Sequence, residues 1–195
     1  MTAARTIRRW TLALVAAVAA VGLLRTLAVA PFRLPDGSLV FVNRWSYGLR
    51  LPLPSLAGYA RWLPEPMEKG DQVAFDNPLE AGSLEFRQVF VGRCAAAPGD
   101  TLHLPLGAWR IPRRGEYAEV TEASKLILQE ALLRYERLQA VVGSDGRLYV
   151  EGRPARKVRL TRDYYWMQTA DPDRLIDSRT FGLIPMELVI GRIIR

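Results

Sequence analysis

Few side chains in this sequence can take up a proton near neutral pH. They are one histidine, His103, one cysteine, Cys94, and three lysines, Lys69, Lys125 and Lys157. All other basic residues are arginines, whose guanidinium stays protonated and cannot serve as a base. One Cys with one His supports neither a metal cluster nor an intramolecular disulfide. Cys94 lies in the apolar run Val89 to Ala97 and reads as a small core hydrophobe. Lys69 starts a strand, Lys125 falls on the polar face of a helix and Lys157 sits in a basic hairpin, so each reads as a solvated surface residue. His103 follows the turn Pro98-Gly99-Asp100 and reads as structural, with general-base work as its alternative. The densest polar constellation comes late: Asp163-Tyr164-Tyr165-Trp166-Met167, then, ten residues on, Asp177-Ser178-Arg179-Thr180-Phe181-Gly182.

The elements that must position these groups follow from periodicity. Trp10 to Leu24 is a run of 15 uncharged residues, extended past Arg25 to Ala30. A bilayer core asks for about 20 apolar residues, and an arginine near the end of a span can snorkel. Residues 10–30 are therefore expected to form a transmembrane anchor behind a basic cytoplasmic tail, 1–9. The exported bulk is residues 31–195. Ala28-Val29-Ala30 also has the small-x-small form of a signal-peptide cleavage site; Arg25 argues for retention. Beyond the anchor, short runs at Leu39–Val42, Val73–Phe75, Gln88–Ala96 and Thr101–Leu104 read as strands between Gly and Pro punctuation. Arg44 to Arg50, followed by Pro52 and Pro54, reads as an irregular crossing loop. Leucines at 126, 128, 132, 133 and 138 predict one amphipathic helix within 121–142, packed on the sheet, with Thr121 able to cap it and Gly143 able to end it. Ser144-Asp145-Gly146 and Glu151-Gly152 read as the tight turns of a hairpin reaching Val158–Leu160. Tyr164–Met167 and Leu188–Ile194 complete a mainly β domain with one inserted helix.

The net charge of +7 divides unevenly. Arg5, Arg8, Arg9 and Arg25 supply +4 in the first 30 residues, which hold no acid. The surplus is thus mostly topological, and no nucleic-acid partner is expected.

Taken in order, these motifs resemble the type I signal peptidases, the S26 serine-lysine endopeptidases. Phe32-Arg33-Leu34-Pro35 is similar to the family's opening, and Val42 to Gly48 to the strand after it. Lys69-Gly70-Asp71-Gln72-Val73-Ala74-Phe75 is similar to its Gly-Asp-x-Val-x-Phe step. Val91-Gly92-Arg93 leading to Pro98-Gly99-Asp100 is similar to its lysine strand and exit turn. Tyr149 to Pro154 is similar to its hairpin, and Ile111 to Gly115 with the helix after it to an insert of some members. The likeness covers nearly the whole chain, and the ordered series ending in Asp-Ser-Arg-x-Phe-Gly is its most specific part. It implies a membrane-anchored β domain, a serine nucleophile activated by a desolvated neutral lysine, an oxyanion hole and no cofactor.

The chemical positions depart from that pattern. After Pro35 the chain is about nine residues shorter than the family pattern. Aligned from the left, Ser38 falls on the nucleophile and Asp36 on the auxiliary oxyanion hydroxyl, where a carboxylate opposes the developing charge. Aligned from the right, the nucleophile is deleted. The lysine position is Gly92, because Arg93 and Pro98-Gly99-Asp100 fix the register. Gln168-Thr169-Ala170 replaces the family's Gly-Asp-Asn, while Asp177, Ser178 and Arg179 stand intact. The resemblance gives Asp177 and Arg179 a site-ordering role, as a buried or half-buried pair.

Three functions follow as expectations. The first is a protein of the cytoplasmic membrane that binds exported preproteins or an active signal peptidase, with absent or weak catalysis. The second is a working serine endopeptidase using Ser38 and a displaced base such as His103 or Lys69. The third is a non-catalytic scaffold for envelope assembly.

Overall fold

The computed structural model describes residues 2–34, 37–50, 60–169 and 177–194. Helix α1 runs from Thr2 to Ala28. No proline interrupts it, so the basic tail and the apolar run wind as one piece. Its side chains from Arg8 to Val21 are exposed. Among the described residues no helix is long and apolar enough to cross a membrane. The helix stops at Ala28, short of the expected boundary at 30. Val29 and Ala30 instead open strand β1 (Val29–Arg33) and pair with Asn43 and Val42 of β2 (Leu39–Asn43).

The main sheet has seven strands. Its order is β1, β2, β16 (Val189–Ile194), β5 (Gln72–Asp76), β6 (Val89–Ala96), β14 (Tyr164–Gln168) and β15 (Ile184–Pro185), and all its pairings are antiparallel. One row of the register crosses four strands: Asn43 faces Arg192, Arg192 faces Val73, and Val73 faces Gly92. A bulge in β16 brings Gly191 against β2, where a Cβ would meet the Asn43 carbonyl oxygen at 2.2 Å; only glycine permits that approach. Small ribbons surround the sheet: β3 (Leu49–Arg50) with β4 (Arg61–Trp62), β7 (Thr101–Leu104) with β8 (Gly107–Arg110), and β9 (Tyr117–Glu119) with β13 (Lys157–Arg159). A three-stranded sheet joins β10 (Ala140–Val142), β11 (Leu148–Val150) and β12 (Arg153–Pro154).

The inserted helix is shorter than the leucine spacing predicts. Thr121 and Ser124 bond to each other and to nearby backbone, which delays helical winding until α2 (Lys125–Ala131). A π-turn over Leu132–Glu136 follows, and Arg137, left-handed at φ 56°, stops it. Residues 140–142, expected in the helix, pair with β11 instead. Leu128 and Leu132 are buried, whereas Leu126 and Leu133 are exposed. The hairpin expectation also needs correction. Glu151-Gly152, both at positive φ, turn β11 into β12, while Val158 pairs with Ala118 of β9. Turn chemistry located the bend; the partner of the third strand was a tertiary choice that local sequence does not encode. Pro52 and Pro54 lie outside the described residues.

Strand β14 explains the Tyr-Tyr-Trp-Met run. Tyr164 and Trp166 enter one core with Leu128, Leu132 and Trp109. Tyr165 and Met167 enter another with Phe75, Phe90, Cys94 and Phe181. A strand buried on both faces must be apolar at every position. Burying each such side chain contributes about 2 kcal/mol.

Candidate functional site

Phe90, Gly92 and Cys94 alternate onto one face of β6, the face of the second core. A side chain at 92 would start 3.2 Å from Phe75 Cε1, 3.3 Å from the Gln168 carbonyl oxygen and 3.6 Å from Met167 Cβ. Phe75 in turn sits edge-on to Phe90 and Phe181, with ring centroids 6.2 and 6.0 Å away. The place where the family resemblance expects a lysine is therefore walled by packed aromatic and thioether groups. Cys94, one step along this face, is fully buried, and burial pushes its thiol up to about 12, so it stays protonated and inert.

The Asp-Ser-Arg motif lies directly beside this wall. Asp177 is the N-cap of the short helix α3 (Ser178–Phe181) and accepts the Arg179 backbone N–H at 2.9 Å. It also accepts the Arg179 Nε at 3.0 Å, and the Arg179 Nη2 at 2.8 Å completes a two-nitrogen grip. The Thr169 N–H donates to its second oxygen at 3.2 Å. Burial pulls the Asp177 carboxyl upward, but hydrogen bonds from the Arg179 side chain and then from backbone N–H groups outweigh it and hold it below the usual carboxylate value. Ser178 Oγ accepts the Met167 N–H at 2.9 Å. These bonds pin α3 to the end of β14, at Met167, itself a neighbour of Gly92, and at Thr169, next to the other neighbour Gln168. The Asp177 side chain is 1% exposed and that of Arg179 43%, the half-buried pair that the sequence implied.

Ser38 lies elsewhere. The connection between β1 and β2 is closed by two backbone bonds, Leu34 N–H to the Ser38 carbonyl at 2.8 Å and Gly37 N–H to the Leu34 carbonyl at 2.9 Å. Ser38 is exposed in that turn. It stands five residues from Asn43 along β2, and Asn43 is three strand spacings from Gly92, which separates Ser38 from Gly92 by about 20 Å. Asp36 lies outside the described residues.

The possible bases are scattered. His103 is exposed on the β7–β8 ribbon, opposite Ala108. Lys157 is solvated, 3.4 Å from Glu119. Lys125 is not the solvated residue that the sequence predicts. Its side chain is 17% exposed and bonds Glu122 at 2.6 Å and the Gly146 carbonyl at 3.0 Å. Lys69 is exposed in the turn that leads into β5, four residues before Val73. Strands β2 and β5 run parallel across β16. Lys69 and Ser38 therefore lie beyond the same end of the sheet, two strand spacings or about 10 Å apart by backbone.

One cluster escaped the sequence reading in part. Tyr47 and Asp71 were recognised only as scaffold, and Arg192 was not singled out. Tyr47 donates to Asp71 Oδ2 at 2.8 Å, and Arg192 Nη2 reaches the same oxygen at 2.9 Å. The Arg192 guanidinium lies 5.6 Å from the Tyr47 ring centre. Burial raises the Tyr47 hydroxyl above its ordinary value, so it remains a donor. The usable signal was an arginine inside the apolar strand Val189–Ile194. From this cluster the same sheet face continues outward to exposed Phe41, Leu39, Ile194 and Val29. Among the described residues no group of three or more His, Cys, Asp or Glu could hold a metal ion.

The family model of signal peptidase, peptidase S26, matches residues 7–195. No curated protein and no solved structure matches the chain.

Proposed function

The chain belongs to the signal peptidase S26 family, and on that premise we propose that it is a membrane-anchored member that engages exported precursors, or an active signal peptidase, with little or no cleavage of its own. The observation that carries this reading is the filled wall at Gly92. A lysine there would be desolvated by Phe75 and Met167, but the position holds no amine, and the hydroxyl aligned with the nucleophile lies about 20 Å away. A general base has to come within hydrogen-bond reach of the proton that it removes, about 3 Å.

Binding survives the loss of such a pair, because strand addition uses backbone hydrogen bonds and apolar side-chain contacts. The exposed strip Val29, Leu39, Phe41 and Ile194 lies on the Gly92 face and suits an extended apolar segment. Helix α1 supports a membrane location. Arg8 and Arg9 precede exposed Trp10, Leu12, Leu14, Val15 and Val18, with the charge asymmetry of a cytoplasmic N-terminus. β1 follows the helix directly, which would hold the domain close to the bilayer.

The test is cleavage of a preprotein by the purified full chain, beside capture of that preprotein by a photocrosslinker at Phe41. Crosslinking without cleavage is expected. Turnover that disappears in Ser38→Ala would overturn the reading.

A second reading is favoured by one observation, the shared position of Ser38 and Lys69 beyond one end of the sheet. In that case the chain is a serine endopeptidase with a displaced lysine base. It predicts acylation of Ser38 by a serine-directed inhibitor, abolished in Lys69→Met.

A further inference from the structure

We propose that a pocket beside the second core, outside the Gly92 contacts, binds an amphiphilic phosphate, a phosphate ester joined to an apolar group. The pocket, of about 610 Å³, lies between the loop 78–87, the end of the inserted helix and the turn 185–188. Four guanidiniums converge on it: Arg87, Arg134, Arg137 and Arg162. The three carboxylates named beside them, Glu80, Glu130 and Glu187, leave one positive charge in excess. Glu80 has both oxygens occupied, one by the Asn77 side chain and one by the Gln88 N–H, each at 2.9 Å. Arg87 bonds the Gly82 carbonyl through two nitrogens, so its hydrogen bonds are met while its charge is not. Among the described residues neither Arg87 nor Arg137 has a carboxylate in direct contact. Arg134 pairs with Glu130 at 2.9 Å and Arg162 with Glu187 at 3.0 Å, each leaving further N–H groups.

Buried polar atoms add a second observation. The Tyr135 hydroxyl, the Arg162 Nε and Glu187 Oε2 belong to the same pocket, and none has a hydrogen-bond partner among the described residues. Unmet buried donors are costly, and two of these atoms, the Tyr135 hydroxyl and the Arg162 Nε, are donors that suit an oxyanion. Glu187 Oε2 is an acceptor that opposes one, and its carboxylate is held by its own pairing with Arg162. Burial pushes the Tyr135 hydroxyl up to about 12, so it is a donor beside Arg134 and Arg87. A donor among guanidinium forks suits an oxyanion with several oxygens, such as a phosphate ester. The remaining walls are apolar: Leu79, Leu84, Pro185 and Leu188. Leu79 is exposed at the rim, and Phe86 is exposed nearby in the loop. That lining favours a phosphate carrying an apolar group over a bare ion.

The experiment uses the full chain in a neutral detergent and two probes, a short-chain phosphatidylglycerol and inorganic phosphate, with binding read by calorimetry and by melting temperature. Wild type is expected to bind the lipid at least tenfold more tightly than it binds phosphate. Arg134→Gln combined with Arg137→Gln should lose binding tenfold or more at unchanged melting temperature without ligand. Tyr135→Phe should weaken binding several-fold while leaving the unliganded protein as stable or more so, an outcome that a purely structural hydroxyl would not give. Arg147→Gln with Arg153→Gln, exposed and remote from the pocket, serves as the charge control and should bind as wild type does. Equal affinity for inorganic phosphate would support the oxyanion site but overturn its apolar half. No binding of either probe, or equal loss in the control pair, would overturn the proposal. None of these outcomes bears on whether the chain cleaves or captures precursors.

Discussion

The two ends of the Gly92 face differ sharply. At the β14 end, Asp177 and Arg179 bond each other, and Ser178 and Asp177 accept the Met167 and Thr169 N–H groups, against a core of interlocked aromatics. At the β1–β2 end, a short turn closed by two backbone bonds carries an exposed Ser38. The parts that order a site persist where they also serve packing. At the position where the resemblance expects a lysine, the chain carries Gly92. A bonded, buried polar motif has a folding role of its own, because its removal leaves its partners unmet.

Placing a lysine at Gly92 is the strongest way to break this contrast. Its amine would enter among Phe75, Met167 and Phe181, and an uncompensated buried charge costs about 3–5 kcal/mol. Against a total stability of about 5–15 kcal/mol, Gly92→Lys should shift the urea midpoint steeply or unfold the domain. Gly92→Ala separates size from charge. Contacts at 3.2–3.3 Å make it crowded, with overpacking of about 1–3 kcal/mol offset by about 0.5–1 kcal/mol of strand entropy recovered. A Gly92→Lys variant as stable as Gly92→Ala would mean that the wall opens easily and the site is not filled.

Next in size are the closing-motif variants. Asp177→Ala removes an N-cap and the carboxylate that pairs with Arg179, for a loss of about 2–3 kcal/mol. Ser178→Ala leaves the buried Met167 N–H without an acceptor, at about 1–3 kcal/mol. Arg179→Ala should cost less than Asp177→Ala, since the arginine is half in water and the aspartate is not. Denaturant melts of the three proteins give the order directly, and an Arg179 variant that is the worst of the three would reverse the picture of a buried anchor with an exposed partner.

The β-rich architecture was readable because strands are short, punctuated by Gly and Pro, and alternate or run apolar. Thr101–Leu104 coincides with its prediction. What failed was nonlocal. β1 was hidden inside the apolar run because Val29-Ala30 suits a helix end as well as a strand. Val158 pairs with β9 across a long separation, and the last three residues of the predicted helix, 140–142, became β10 because Arg137 turns left-handed after the π-turn. The Lys69–Ser38 relation needs the strand order of the whole sheet, which no local pattern supplies.

Acid offers a milder probe of the ordered end. The Asp177 pKa is depressed in the folded protein from an ordinary value of 3.8. The folded state therefore binds fewer protons than the unfolded one. Its contribution is fully present above the ordinary value and is lost as pH falls through the depressed folded value. Wild type minus Asp177→Asn stability should thus be flat from about pH 6 to 5 and shrink below about pH 4. A difference that grows on acidification has the wrong sign for a carboxylate stabilised by Arg179 and backbone N–H groups.

The smallest expected effect belongs to the residue that looks most catalytic in the sequence. Ser38→Ala changes an exposed turn side chain, so stability should move by less than about 0.5 kcal/mol. Its turn is closed by backbone groups, the Leu34 N–H on the Ser38 carbonyl and the Gly37 N–H on the Leu34 carbonyl, and these survive the substitution. Preprotein capture at Phe41 should be equally unchanged, because that strip is built from β1, β2 and β16 and not from the hydroxyl. The variant is informative because it costs so little. With fold and binding intact, any loss of turnover in Ser38→Ala reports on chemistry alone, and repeating the assay in Lys69→Met shows whether an amine about 10 Å away along the sheet end reaches the serine. Null results in both leave the β1–β2 end as a binding edge and nothing more.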